Sequence, residues 1–138
     1  MSTDCVFCKI RDGQIPSMKI QEDERTLTFM DINPINSGHC LVVTKAHAAT
    51  IFEADVEDLM AAIATAKKVA VAIQEALKPD GLNVLQANGA AAFQSVPHFH
   101  LHLIPRWNND GKGFDWKLVP GNREAIMKNG ERLRSLLM

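Results

Sequence analysis

Residues 98–104 read His98-Phe99-His100-Leu101-His102-Leu103-Ile104, an imidazole at every second position with large apolar side chains between. Side chains alternate across a β-strand, so this run predicts a strand with His98, His100 and His102 on one face and Phe99, Leu101 and Leu103 on the other. The apolar face belongs to a core. Burying an imidazole without a partner is costly, so the opposite face needs ligands, hydrogen-bond partners or substrate. Function is to be sought there.

At 138 residues with 46% hydrophobic content, the chain has the length of one ordinary domain and enough apolar material for its own core. Met18 to Glu22 and Leu27 to Met30 read as strands joined by the turn Asp23-Glu24-Arg25, and His39 to Thr44 as a third, rich in β-branched and apolar residues. The stretch Asp31 to Gly38 holds too much Asn, Pro, Ser and Gly to be regular. From Asp55 to Leu77 the apolar residues recur at spacings of three and four, which predicts the main helix. Asp55 is its expected N-cap, Asp58 falls in its first turn, and Lys78-Pro79-Asp80-Gly81 stops it. Leu82 to Ala87 and His98 to Ile104 supply two more strands. Val6 to Arg11 reads as a short helical turn and Asn122 to Leu137 as a final helix. The order predicts an α+β domain with about five antiparallel strands, one long helix and short terminal helices.

Fifteen basic against sixteen acidic side chains give a formal charge of −1, without runs of like charge. This argues against nucleic acid or anionic membrane as a partner. The Met1-Ser2-Thr3-Asp4 start lacks a basic region followed by an apolar one, and no stretch has the roughly 18 apolar residues of a membrane span. A cytoplasmic protein is expected. The odd number of cysteines, three, argues against a disulfide framework, and Cys5-x-x-Cys8 points instead to metal or redox chemistry. A redox Cys-x-x-Cys opens a helix after a buried strand, and no strand precedes this one.

On the third strand His39 shares a side with Leu41 and Val43, so antiparallel pairing with the histidine strand lets a fourth imidazole join the cluster. Cys40 points the other way as a packed thiol. The segment Asn88 to Pro97, with Asn88, Gly89, Gln94 and Ser95, offers donors and backbone N–H groups of the kind that hold phosphate oxygens. Imidazoles beside such a loop suggest phosphoryl or nucleotidyl chemistry. Three imidazoles on one strand also suit a catalytic Zn²⁺ or Fe site, and the pattern alone leaves that open.

Together these residues resemble the histidine triad (HIT) superfamily, whose signature His-x-His-x-His-x-x, with apolar x, is matched at every position from His98 to Ile104. Cys5-Val6-Phe7-Cys8-Lys9-Ile10, Phe29-Met30-Asp31-Ile32-Asn33-Pro34, Gly38-His39 with Leu41-Val42-Val43, Lys45-Ala46-His47 and Gln94-Ser95-Val96 match in the right order. The resemblance implies a single HIT domain over residues 1–138, with its core at 5–106 and a tail and helix at 107–138. It implies a nucleotidyl hydrolase or transferase acting at the α-phosphate of purine nucleoside monophosphate derivatives, either phosphoramidates or dinucleoside polyphosphates. A nucleotide-binding scaffold without turnover is the alternative within the same fold.

By the same resemblance His100 is the nucleophile that forms a covalent nucleotidyl-histidine intermediate, its other ring nitrogen donating to a backbone carbonyl. His102 holds phosphate oxygens, His39 supports the cluster, and Ser95 lies near the leaving group. Asp31 takes the ribose hydroxyls, and Phe7, Ile10, Phe29, Ile32 and Leu41 form the slot for the base. Asn88, Gln94, Ser95 and Val96 form the phosphate loop. Cys5, Cys8, His47 and His98 match the ligands of one structural zinc per chain, four protein donors leaving no open position. Members of the family form homodimers through the long helix and the neighbouring edge strand, with Ala61, Ala62, Ala64 and Ala66 permitting close approach. Phe93 departs from the pattern, standing where many members have Gly before the Gln-Ser pair. Ile104-Pro105-Arg106 resembles the dinucleoside-polyphosphate-cleaving and general bacterial members, while the remainder resembles the phosphoramidate-cleaving branch. Trp107 and Trp116 are candidates for substrate specificity or for packing.

Overall fold

The computed structural model describes residues 4–113 and 116–138, so the Met1-Ser2-Thr3 start lies outside the described residues. Five strands form one antiparallel sheet: β1 (Lys19–Glu22), β2 (Thr26–Met30), β3 (Cys40–Thr44), β4 (Gly81–Leu85) and β5 (His100–Arg106), in the spatial order β1-β2-β3-β5-β4. The α-helices are α1 (Val6–Arg11), α2 (Val56–Leu77) and α3 (Arg123–Leu137). This is the expected α+β architecture, with β5 paired on both sides.

Alternation along the strands divides the apolar residues between two layers. Cys40, Val42, Phe99, Leu101 and Leu103 face α2 and pack on Ala62, Ala66, Val69 and Ile73. Leu27, Phe29, Leu41 and Val43 face the other way and are covered by Cys5, Phe7, Cys8 and Ile10 of the N-terminal segment. The N-terminus thus closes over the histidine side of the sheet.

Local chemistry explains the boundaries. Asp23 Oδ1 accepts from Arg25 N, Thr26 N and Thr26 Oγ1, which folds the turn between β1 and β2. Asp55 occupies the N-cap of α2, but its side chain makes no capping bond. Asp58, in the first turn, is held instead by Arg25 at 2.8 Å, tying α2 to the sheet. Lys78 ends α2 in the left-handed conformation, φ 50°, with Pro79 next. The final strand begins at His100 rather than at His98, because Pro97 lacks a donor and the backbone N–H of His98 turns back onto Val96 O at 2.8 Å.

One packing expectation is corrected. Ala62 and Ala66 lie buried against the sheet, which their small size lets α2 approach closely, so they are not available to a second copy. The outward face of α2 carries Val56, Met60, Ile63 and Val71.

Leu103 is fully buried at the centre of the α2 layer. Leu103→Ala is expected to cost about 2–5 kcal/mol, read as a lower urea midpoint with an unchanged slope. A loss below about 1 kcal/mol would show that this layer is not the packed core.

Candidate active site and metal-ligand cluster

The β3–β5 register sets Leu41 opposite His102 and Val43 opposite His100, which brings His39 to the end of the histidine strand. His39 Nε2 lies 3.0 Å from His102 Nδ1 and 3.5 Å from Asp31 Oδ2. The rings of His100 and His102 meet edge to face with centroids 4.8 Å apart. Phe7, from α1, sets its ring perpendicular to His100 at 5.0 Å.

Hydrogen bonds to groups that can only donate or only accept fix the tautomers. The carbonyl of His98 lies 2.7 Å from His100 Nδ1, so Nδ1–H donates and the lone pair of a neutral ring resides on Nε2. The N–H of Ile35 donates to His39 Nδ1 at 3.0 Å, so His39 carries its hydrogen on Nε2 and gives it to His102 Nδ1. His102 therefore presents an N–H at Nε2. Burial favours the neutral rings: it lowers the pKa values of His39 and His100 below the ordinary imidazole value and, helped by the neighbouring imidazoles, pushes His102 down to about 4. Asp31 works in the opposite direction on all three.

His100 and His102 line a cavity of about 320 Å³ together with Asp31, Ser95 and Val96. Its walls are Phe7, Ile10, Phe29, Leu41 and Ile32, the last at the rim and 88% exposed. Asp31 is positioned by the turn it makes with its own backbone, Oδ1 accepting from Asn33 N at 2.8 Å. Asn88 and Gln94 do not line this cavity. Asn88 Oδ1 accepts from Ile51 N at 2.7 Å, while Gln94 Oε1 accepts from Gly89 N at 2.8 Å and its Nε2 donates to Ala49 O at 2.6 Å. Both side chains brace the loop that carries Ser95.

A second cluster lies behind Phe7. Sγ of Cys5 and Cys8 and Nδ1 of His47 and His98 all lie within 4.8 Å of one another. His98 Nδ1 is 3.2 Å from Cys5 Sγ, 3.6 Å from Cys8 Sγ and 3.2 Å from His47 Nδ1. His98 Nε2–H donates to Thr44 O at 2.6 Å, which turns the Nδ1 lone pair into the cluster. Burial and the hydrogen bond and charge of Cys5 raise the Cys8 pKa, so a thiolate on Cys8 calls for a cation. The donor set can hold a metal ion. Asp31, His39 and His102 also bring ligand atoms together, but the Ile35 N–H occupies the Nδ1 lone pair of His39 and leaves a hydrogen, not a lone pair, on the converging nitrogen. His98, His100 and His102 do not converge as one ligand group among the described residues. The three-histidine catalytic metal centre left open by the sequence therefore finds no geometric support.

Sequence reasoning missed the contribution of Ile15, Pro16 and Met30 to the cavity wall. Ile15 and Pro16 stand between α1 and β1, and nothing in their spacing says that this segment folds back over the sheet. It also missed Asn36, whose Nδ2 donates to Pro105 O and to Asp110 Oδ2, both at 2.9 Å, while its carbonyl accepts from His39 N. This anchors the loop that fixes the His39 tautomer.

A family model described as HIT domain matches residues 12–109. An adenosine 5′-monophosphoramidase of Schizosaccharomyces pombe is 41% identical over 132 residues, covering 95% of this chain and 96% of that one. The crystal structure of a member of the HIT family of proteins from Bacillus subtilis superposes with a TM-score of 0.88 at 38% identity, covering 96% of each chain. A zinc-bound histidine triad family protein from Mycobacterium smegmatis superposes with a TM-score of 0.78 at 38% identity, covering 91% of this chain and 89% of that one.

An imidazole whose pKa is lowered by the fold takes up its proton more readily in the unfolded chain. The stabilisation from neutral His102 is present above about pH 6.5 and lost as pH falls towards about 4. Urea midpoints are expected to decline over that range, and less steeply in His102→Asn. Equal slopes for the two proteins would remove His102 from the linkage.

Proposed function

The chain belongs to the HIT family, and from that membership we propose that it hydrolyses or transfers at the α-phosphate of purine nucleoside monophosphate derivatives, with His100 as nucleophile. The observation that carries this reading is the His100 Nδ1–H bond to His98 O, which leaves an Nε2 lone pair on a neutral ring lining the cavity. The lone pair forms a bond to the α-phosphorus as the bond to the leaving group breaks, giving a nucleotidyl-imidazole. The leaving group departs with a proton lent by the site. Water then forms the new P–O bond, the P–Nε2 bond breaks, and a proton from that water replaces the one lent.

The other residues take roles their geometry permits. Asp31 accepts from both ribose hydroxyls, as a carboxylate with two oxygens is suited to do. The apolar wall around Phe7, Ile10, Phe29, Ile32 and Leu41 takes the base. His102 gives its Nε2–H to a non-bridging phosphate oxygen, with His39 behind it fixing that tautomer. Ser95 and the backbone at Val96 complete the phosphate contact, on a loop that Asn88 and Gln94 hold in shape.

Cys5, Cys8, His47 and His98 would hold one structural zinc per chain. A tetrahedron with Zn–S near 2.3 Å and Zn–N near 2.0–2.1 Å has N···N and S···N edges of about 3.3–3.6 Å; the pairs Cys5–His98, Cys8–His98, Cys8–His47 and His47–His98 stand 3.2–3.6 Å apart, and all four donors lie within 4.8 Å of one another. Four protein donors leave no open position, so zinc there supplies cross-linking, fastening the N-terminal segment to the sheet. A homodimer is proposed through the exposed stripe Val56, Met60, Ile63 and Val71 of α2 with Val84 of the edge strand β4. No helix among the described residues is long and apolar enough to cross a membrane.

His100→Ala is expected to lower AMP release from adenosine 5′-phosphoramidate by at least about a hundredfold while AMP still binds in calorimetry. Binding without release by the wild-type protein would make the chain a nucleotide-binding module. Metal analysis is expected to find one zinc per chain, absent from Cys8→Ser, and chelation is expected to lower the melting temperature. An unchanged melting temperature after chelation would remove the structural role.

A further inference from the structure

Phe7 belongs to two sites at once. It stands between Cys5 and Cys8, whose thiols join the metal-ligand cluster, and its ring lines the nucleotide cavity, 5.0 Å from the His100 ring and edge-on to Phe29 at 5.4 Å. Val6 and Ile10 of the same helix line that cavity too. The segment from Cys5 to Ile10 therefore gives thiols to one site and apolar side chains to the other.

This segment is also the part of the wall that depends most on outside support. α1 has six residues, too few for a helix to keep its shape without tertiary contacts. Its C-terminal end is tied to the sheet by Arg11 Nη1, which donates to Lys45 O at 2.7 Å. Its N-terminal end, next to Phe7, is tied through Cys5 and Cys8 to His47 and His98. A thiol is a weak hydrogen-bonding group, whereas a cation held by both sulfurs and both imidazoles is a cross-link. His98 also touches both sites, but Thr44 O at 2.6 Å already fixes its ring, and the residue is fully buried. The element with freedom to respond is the helix.

We propose that Phe7 couples the two sites: zinc held by Cys5, Cys8, His47 and His98 fixes the aromatic wall and so tightens nucleotide binding, and a bound nucleotide in turn tightens the hold on zinc. This rests on the nucleotide and zinc readings given above. The entropy lost in ordering α1 is lost once, so the second ligand meets a wall already in place. Linkage requires the same factor in both directions. Steric plugging is a different matter: a separate concavity of about 370 Å³, lined by Asp4, Cys5, His47 and Pro97, adjoins the cluster without including Asp31, His100 or His102, so metal exchange need not pass through the nucleotide cavity. Phe7 is a positioning residue for zinc, which it does not ligate.

The test measures AMP affinity by calorimetry for the zinc-loaded and metal-free protein, at a temperature where circular dichroism shows both folded, and zinc release from the loaded protein into excess chromogenic chelator with and without saturating AMP. AMP is expected to bind the loaded form at least about fivefold tighter, and to slow zinc release by at least about fivefold. The release measurement starts from the loaded protein and does not need a folded metal-free form. In Phe7→Ala both ratios are expected to fall to within about twofold of one, and in Phe7→Leu, which keeps an apolar side chain but loses the edge-on ring, to lie between. Equal AMP affinities with a release rate indifferent to AMP would overturn the coupling and leave the nucleotide reading standing. So would faster release with AMP, the sign expected if the nucleotide merely competes for zinc. Ratios that survive both Phe7 variants would overturn Phe7 as the carrier. A protein that takes up no zinc would overturn the zinc reading and the coupling together, and one that binds AMP in neither form would overturn the nucleotide reading and the coupling together.

Discussion

Two hydrogen bonds made by one buried residue, His98, organise the centre of the molecule. Its ring N–H donates to Thr44 O at the end of β3, and its backbone carbonyl accepts from the His100 ring at the start of β5. The first bond aims a lone pair at Cys5, Cys8 and His47; the second leaves a lone pair on His100 beside the cavity that Asp31 and Phe29 line. A residue whose side chain serves the N-terminal cluster thus sets, through its main chain, the tautomer of the next histidine along the strand. Because Cys5 and Cys8 flank Phe7, and Phe7 packs edge-on against both His98 and His100, any device that fixes the N-terminal segment also holds the wall against which the His100 ring stands.

The rest of the site is a sequence of tautomers passed inward from backbone groups. Ile35 N–H faces His39, His39 faces His102, and each nitrogen's role follows from the partner before it. The backbone groups that begin these chains are held by the fold: the Ile35 loop by Asn36 on Pro105 O and Asp110, and His98 by Thr44. Burial then keeps the rings neutral, the state in which a ring nitrogen can attack phosphorus.

Much of this was legible in the sequence, for a physical reason. A strand's period is two and a helix's is about three and a half, so the alternation through His98–Ile104 and the stripe over Asp55–Leu77 could be read directly, and with them the two faces of the sheet. Cys40 fell where alternation put it: buried in the α2 layer, its pKa pushed up to about 11 by burial. Periodicity says which residues share a face but not what the face meets. Ala62 and Ala66, small residues that suit close approach to a partner, meet the sheet instead, and Asp58, in the first turn of α2 where the sequence places it, finds its partner in Arg25, 33 positions away. Asn88 and Gln94 show the same limit in a loop: their residue types suit phosphate, yet Asn88 is bonded to Ile51 N and to the Gln86 side chain, and Gln94 to Gly89 N and Ala49 O. Phe93 has a left-handed backbone, φ 63°, which its own residue type does not signal; the trace in the sequence is that it stands where the family pattern has Gly.

The environment of His98 locks His100 as the Nδ1–H tautomer with a free lone pair on Nε2. Long-range ¹H–¹⁵N correlation NMR of the imidazole rings at neutral pH measures this directly. His100 is expected to show a protonated, pyrrole-like Nδ1 and an unprotonated, pyridine-like Nε2. A protonated Nε2, or averaged nitrogen shifts signifying exchange between tautomers, would contradict it.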